Sequence, residues 1–166
     1  NDGYVLHDSL KLMDPERERF DRMLAKAIVH RRMPVLGIGA GMQLLNITCG
    51  GALSYDIAED FPKALPHYDL SDPAHRHAIL VEPKTFLASV YLDYDPQINP
   101  SEILVTSQHH MAVEVVAPSF RVTARCRDGI IEAIESTDPD WIAVGVQFHP
   151  ESSFATKIDA ILLESF

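Results

Sequence analysis

Two groups of residues have types and spacing that could do chemistry: three glycines at alternate positions, Gly37, Gly39 and Gly41 in "PVLGIGAGMQ", and His149 with Glu151 in "VQFHPE". A short apolar run that turns abruptly into a helix through closely spaced glycines lifts one side chain clear of a sheet edge. It also aims the first backbone N–H groups of the helix at that point. A thiol mounted there would have its pKa lowered by the helix N-terminus and would be open to substrate. Position 39, however, is a glycine and mounts nothing. Two residues apart in an extended segment, Glu151 and His149 lie on one side, so the carboxylate can fix the imidazole tautomer while the other ring nitrogen faces a nucleophile. Taken alone, a histidine near a glutamate is more often a surface accident.

These residues need elements to hold them. "MDPERERFDRMLAKAIVHRR" places Asp14 as an N-cap, Pro15 at the first helical position and basic residues at the close, and predicts an amphipathic helix with Phe20, Met23, Leu24, Ala27 and Ile28 on its apolar face. "VLGI", bounded by glycines and too short for a helix, predicts a buried strand of a parallel sheet. The following "AGMQLLNITC" predicts a helix with Met42, Leu45 and Cys49 on one face, ended by Gly50 and Gly51. From Ala52 to Pro100 the text is rich in proline and acidic residues and reads as irregular connection, except for a strand in "HAILVEP". "EILVTS", "RVTARCR", "IIEAIES" and "WIAVGVQF" read as strands parted by turn signals, and the closing "SSFATKIDAILLESF" as a helix with Phe154, Ile158, Ile161 and Leu162 on one face.

Composition narrows the function. With 14 Lys and Arg against 24 Asp and Glu, the net charge of −10 opposes phosphate backbones and anionic lipid, so neither nucleic acid nor a membrane is an expected partner. No apolar run is long enough to span a bilayer, and "NDGYVLHDSL" lacks the basic end and apolar core of a secretory signal, so a cytoplasmic location is the expectation. Cys49 and Cys126 are too far apart in sequence to form a metal knuckle and are read as reduced thiols. Cys49 cannot stand in for an absent nucleophile, because ten residues of helix put it about 15 Å from Gly39. "GIGAGM" fails as a dinucleotide fingerprint, since its third glycine would fall at Met42. The spacing of His75 and His77 could turn two rings to one face of a strand, but these two, with His109, His110 and His149, are read as structural or pocket-lining residues. No metal and no cofactor are expected.

Taken in order, "PVLGIGAGMQLLN", "GGALSYDI", "SQHHMAV", "DGIIEAIES" and "VGVQFHPES" resemble the class I glutamine amidotransferase family, in particular its gamma-glutamyl hydrolase branch, which includes the gamma-glutamyl-gamma-aminobutyrate hydrolases. The resemblance implies one flavodoxin-like α/β domain over residues 1–166, with a mostly parallel sheet flanked by helices. It also implies a cysteine–histidine–glutamate triad that hydrolyses gamma-glutamyl amides through a thioester. The family's elbow is Gly-x-Cys-x-Gly, so Gly39 stands at the nucleophile position, His149 at the general base and Glu151 at the orienting acid. Gln43 stands at a substrate-contacting glutamine, and Ser107, His109 and His110 fall in a segment that lines the pocket. Ala40 stands where the hydrolase branch usually carries arginine. The family's first strands, and the glycine-rich loop that completes its oxyanion hole, should precede Asn1.

The reading that follows is a hydrolase-type protein that has lost its nucleophile and binds a gamma-glutamyl or other small carboxylate ligand, or a partner protein, without cleaving it. Self-association into a homo-oligomer is left open. Two alternatives stand beside it: an active hydrolase in which His149 activates water directly, and an engineered knockout of an ordinary enzyme. The change at Ala40 as well as Gly39 favours the first, because a designed knockout would seldom alter a neighbour too.

Overall fold

A computed structural model describes residues 13–166; the opening segment, read above for signal character, lies outside the described residues. Helix α1 (Pro15–Arg31) starts where the sequence puts it, with the Asp14 side chain accepting from the N–H groups of Glu16 and Arg17 at 2.9 and 3.1 Å. Its docking face is only partly the predicted one, since Ile28 and Ala27 are partly buried but the N-terminal residues of the stripe are not. Phe20 and Met23 are 61% exposed and Leu24 is 46% exposed, while Ala25 is buried and Ile28 and Val29 pack against the core. The small Ala25 lets the helix approach closely, and the bulkier stripe beside it is turned outward.

Strand β1 (Val35–Ile38) leads through Gly39 into α2 (Ala40–Thr48), whose Met42 and Leu45 are buried as the helical spacing predicts. Beyond them lie β2 (Ala52–Ser54), α3 (Ile57–Asp60), β3 (Arg76–Val81), α4 (Phe86–Tyr94), β4 (Ile103–Thr106), β5 (Ala112–Val115), β6 (Phe120–Cys126), β7 (Ile131–Ser136), β8 (Ala143–Val146) and α5 (Lys157–Ser165). The stretch from Ala52 to Pro100 is thus less irregular than its prolines suggest. Thr85 caps α4 by accepting from the Ala88 N–H, and Leu87, Val90 and Tyr91 give that helix a buried face. At the chain's end, α5 begins at a capping box of Thr156 and Asp159, which leaves Phe154 outside the helix and exposed rather than on its apolar face.

The architecture is α/β with flanking helices, and the sheet is mixed rather than mostly parallel. Its main path runs β1-β8-β7-β6-β3-β4, with β5 joining β7 and carrying β2. Among the described strands only β1 and β8 pair in parallel, Val35 opposite Ala143 through Ile38 opposite Val146. Neighbours such as β6 and β7 are joined by short connections that reverse direction, which antiparallel pairing permits and parallel pairing does not. One apolar cluster packs α4 and α5 against the sheet, and a second packs α1 and α2 on the other side around Met42, Leu45, Phe120, Ile134 and Trp141. None of the helices among the described residues is long and apolar enough to cross a membrane.

The outer two glycines of the bend are needed to different degrees. A Cβ added at Gly37 would meet the Gly41 carbonyl carbon and oxygen at 2.8 and 2.9 Å, so the close crossing of β1 and α2 requires glycine there. A Cβ at Gly41 would meet nothing within 4 Å. Gly37→Ala should therefore cost about 1–3 kcal/mol through overpacking against backbone. Gly41→Ala should be neutral or stabilise the helix by up to about 1 kcal/mol. Chemical denaturation of the two variants checks this, and equal effects would contradict it.

Candidate active site

The two groups of residues singled out in the sequence meet at the carboxyl ends of β1 and β8. Gly39 follows β1 directly, with φ +53° and ψ −113°, and its N–H donates to the Val146 carbonyl at 2.8 Å. This is a left-handed, sparsely populated conformation that glycine adopts at little cost and other residues adopt under strain. Gly39 is also the N-cap of α2, and no side chain caps the helix. By helix geometry the first N–H groups after it have no partner within the helix and are directed at the bend.

His149 lies three residues beyond the end of β8. Its N–H donates to the Thr106 carbonyl at 3.0 Å, which ties the segment to the end of β4, and the preceding Gln147 N–H donates to the Glu132 carbonyl at 2.8 Å. With its backbone fixed, the ring turns back over the bend. A Cβ on Gly39 would lie 2.9 Å from His149 Cε1 and 3.3 Å from Nε2. On the far side of the ring, Nδ1 is 2.8 Å from Glu151 Oε1. A carboxylate, an imidazole and the point from which an elbow side chain would project are therefore neighbours in that order. Glu151 is half exposed and the His149 ring 29% exposed, so the site opens to solvent.

The other residues named from the sequence are distributed differently. Ala40 is exposed at the first position of α2, beside the bend. Gln43 is buried, and its side-chain amide donates to Gln147 Oε1 at 3.0 Å and to the Met111 carbonyl at 3.4 Å, a bridge from α2 to the chain after β8. Ser107 is fully buried and donates to the His67 carbonyl at 2.7 Å. The His109 ring points into the protein, with Nδ1 2.9 Å from the Met111 carbonyl, and His110 stands edge-on to Tyr68. His75 and His77 do not share a face: β3 begins at Arg76, His75 Nε2 reaches the Pro66 carbonyl, and His77 turns inward. A surface concavity lined by Phe86, Arg121, Glu135 and Trp141 lies at the opposite end of β8 from the bend and contains none of these groups.

Sequence reasoning missed Gln147 and the Thr106 carbonyl, which hold Gln43 and His149 in place. Gln147 had a signal, being a polar residue at the end of an apolar strand. The Thr106 carbonyl had none, because any residue supplies one.

Residues 2–151 match the sequence profile of the peptidase C26 family. The chain belongs to that family. It is 34% identical over 154 residues to protein NtpR of Enterococcus hirae, covering 91% of this chain and 61% of that one. It is 33% identical over 162 residues to the gamma-glutamyl-gamma-aminobutyrate hydrolase PuuD of Escherichia coli K12, covering 92% and 60%. The chain thus spans about three fifths of the length of these relatives. A glutamine amidotransferase from Thermotoga maritima superposes with a TM-score of 0.61 at 15% identity, over 93% of this chain and 58% of that one, which shows a shared fold. The peptidase C26 chain described here accordingly has the fold of a glutamine amidotransferase.

Proposed function

We propose that this protein is a catalytically impaired gamma-glutamyl hydrolase-type protein that binds a gamma-glutamyl or other small carboxylate ligand at the bend without cleaving it. The observation that carries the reading is Gly39 itself. The backbone keeps the strained turn, the helix N-terminus and an oriented His149–Glu151 pair, while the position that all three address has no atom to attack a carbonyl. A helix N-terminus favours a carboxylate or a carbonyl oxygen, and those binding groups persist without the nucleophile. The imidazole can polarise a water only feebly by comparison, since triad hydrolases lose most of their acceleration with one member.

Incubating the full-length protein with an electrophilic glutamine analogue and weighing it by mass spectrometry tests the reading. The expected result is no adduct at the bend and negligible turnover of gamma-glutamyl amides. An adduct there, or robust turnover that disappears in His149→Ala, would establish a working enzyme instead.

A further inference from the structure

Away from the bend, four side chains from four parts of the chain converge on one buried point. His67 comes from the connection between α3 and β3, His77 from β3, His109 from the loop after β4 and Glu132 from β7. Their side chains are 1%, 5%, 5% and 0% exposed. Glu132 Oε1 lies 3.1 Å from His67 Nδ1, 3.5 Å from His77 Nε2 and 3.4 Å from His109 Nε2, and the two nitrogens of His67 and His109 are 3.3 Å apart. All four atoms lie within 4.8 Å of one another.

The outer nitrogens decide what the inner ones present. His67 Nε2 is 2.8 Å from Asp128 Oδ2, and that oxygen already accepts from the Leu65 N–H. His109 Nδ1 is 2.9 Å from the Met111 carbonyl, and His77 Nδ1 is 3.0 Å from Cys126 Sγ. A carboxylate and a carbonyl can only accept, so His67 Nε2 and His109 Nδ1 carry protons, and in the neutral rings His67 Nδ1 and His109 Nε2 are lone pairs turned toward Glu132. Acceptors therefore face acceptors: neither Glu132 oxygen makes an aligned hydrogen bond, and His77 Nε2 has no hydrogen-bond partner.

A metal cation would satisfy such a centre. Four donors at 2.0–2.2 Å from a tetrahedral ion are separated by about 3.3–3.6 Å, close to the 3.1–3.5 Å from Glu132 to the three rings and the 3.3 Å between His67 and His109. An imidazole ligand whose other nitrogen is held by a carboxylate or a carbonyl is the ordinary outer-shell arrangement of such sites. We propose that His67, His77, His109 and Glu132 bind one zinc ion in a closed structural site. Three imidazoles and a carboxylate suit zinc, and four protein ligands in a buried pocket leave no position for reacting water. The ion would clamp the proline-rich 61–75 connection onto β3, β7 and the loop after β4, so its binding free energy becomes folding free energy. The sequence hid the set: His67 lies in an aperiodic stretch, and Glu132 is one of two glutamates in β7, with nothing in the spacing to single it out.

Elemental analysis of the protein purified without a histidine tag tests the site, independently of any activity at the bend. About one zinc per chain is expected, as is a melting temperature that falls on chelation and returns with zinc. Replacement by cobalt(II) should give the intense visible absorption of a four-coordinate ion. Asp128→Asn, which removes a carboxylate behind His67 without removing a ligand, should weaken zinc binding about 10–100-fold, whereas His30→Ala, exposed at the end of α1, should leave it unchanged. Trace zinc both as purified and after reconstitution would overturn the proposal. So would a weak six-coordinate cobalt spectrum, or full zinc retention in folded Asp128→Asn protein. The cobalt measurement uses the unsubstituted chain, so a variant that fails to fold does not remove the test.

Discussion

Gly39→Cys is expected to turn a protein that an electrophilic glutamine analogue leaves untouched into one that it labels once, at the introduced thiol. The new Cβ would project toward His149 Cε1 at 2.9 Å and Nε2 at 3.3 Å, too close for the ring to stay in place. The atoms crowded are the far end of a side chain, so a ring movement of a few tenths of an ångström opens the space and leaves sulfur within reach of Nε2. The α2 N-terminus and the neighbouring imidazole both favour the thiolate. In the Gly39→Cys background, His149→Ala should slow labelling and any turnover by about 10²–10⁴, the usual contribution of a positioned general base. The gain has a cost: a non-glycine residue at φ +53° is strained by about 1–3 kcal/mol, so the labelled variant should also unfold more easily. Labelling rates by mass spectrometry and stability by denaturation read the two effects separately. A stable variant whose thiol reacts no faster than Cys49, with or without His149, would show that the bend is not an elbow.

The second large effect is expected at Asn46, which is fully buried at the inner face of α2. Its Oδ1 accepts from the Ala117 N–H at 2.8 Å, and its Nδ2 donates to the Val115 carbonyl at 2.9 Å and the Ala52 carbonyl at 3.3 Å. One amide thus fastens the end of the helix to β5 and β2, and Gly51 lies so close that a Cβ there would fall 2.3 Å from Asn46 Nδ2. Truncation removes both halves of the amide and leaves backbone groups unpaired in the interior, so Asn46→Ala should cost about 3 kcal/mol, within the range for orphaning more than one buried partner. Asn46→Asp keeps the acceptor but aims a carboxylate at two carbonyl oxygens, and should be no better tolerated. Because α2 carries the bend at its other end, loosening it should also impair labelling of Gly39→Cys. A loss below 1 kcal/mol for Asn46→Ala on chemical denaturation would mean that the carbonyls and the Ala117 N–H find other partners.

The sequence by itself determined the local features of this protein. Asp14 and Pro15 start α1, "VLGI" is the strand before the bend, and the spacing of Met42 and Leu45 is the buried face of α2, because caps, short apolar runs and helical periodicity are properties of neighbouring residues. The order of motifs also identified the family, and with it the pairing of Gly39 with His149 and Glu151 across more than a hundred residues. Tertiary structure decided the rest. It turned Phe20 and Met23 outward and Ala25 inward, since a helix with two apolar stripes buries whichever one its neighbours fit. It made the sheet mixed, since strand pairing depends on where connections lead rather than on strand composition. It also brought His67, His77, His109 and Glu132 to one point from separate elements, although their spacing in the chain follows no motif. Convergence of donor atoms is a property of the packed chain, and a reading based on neighbouring residues has no access to it.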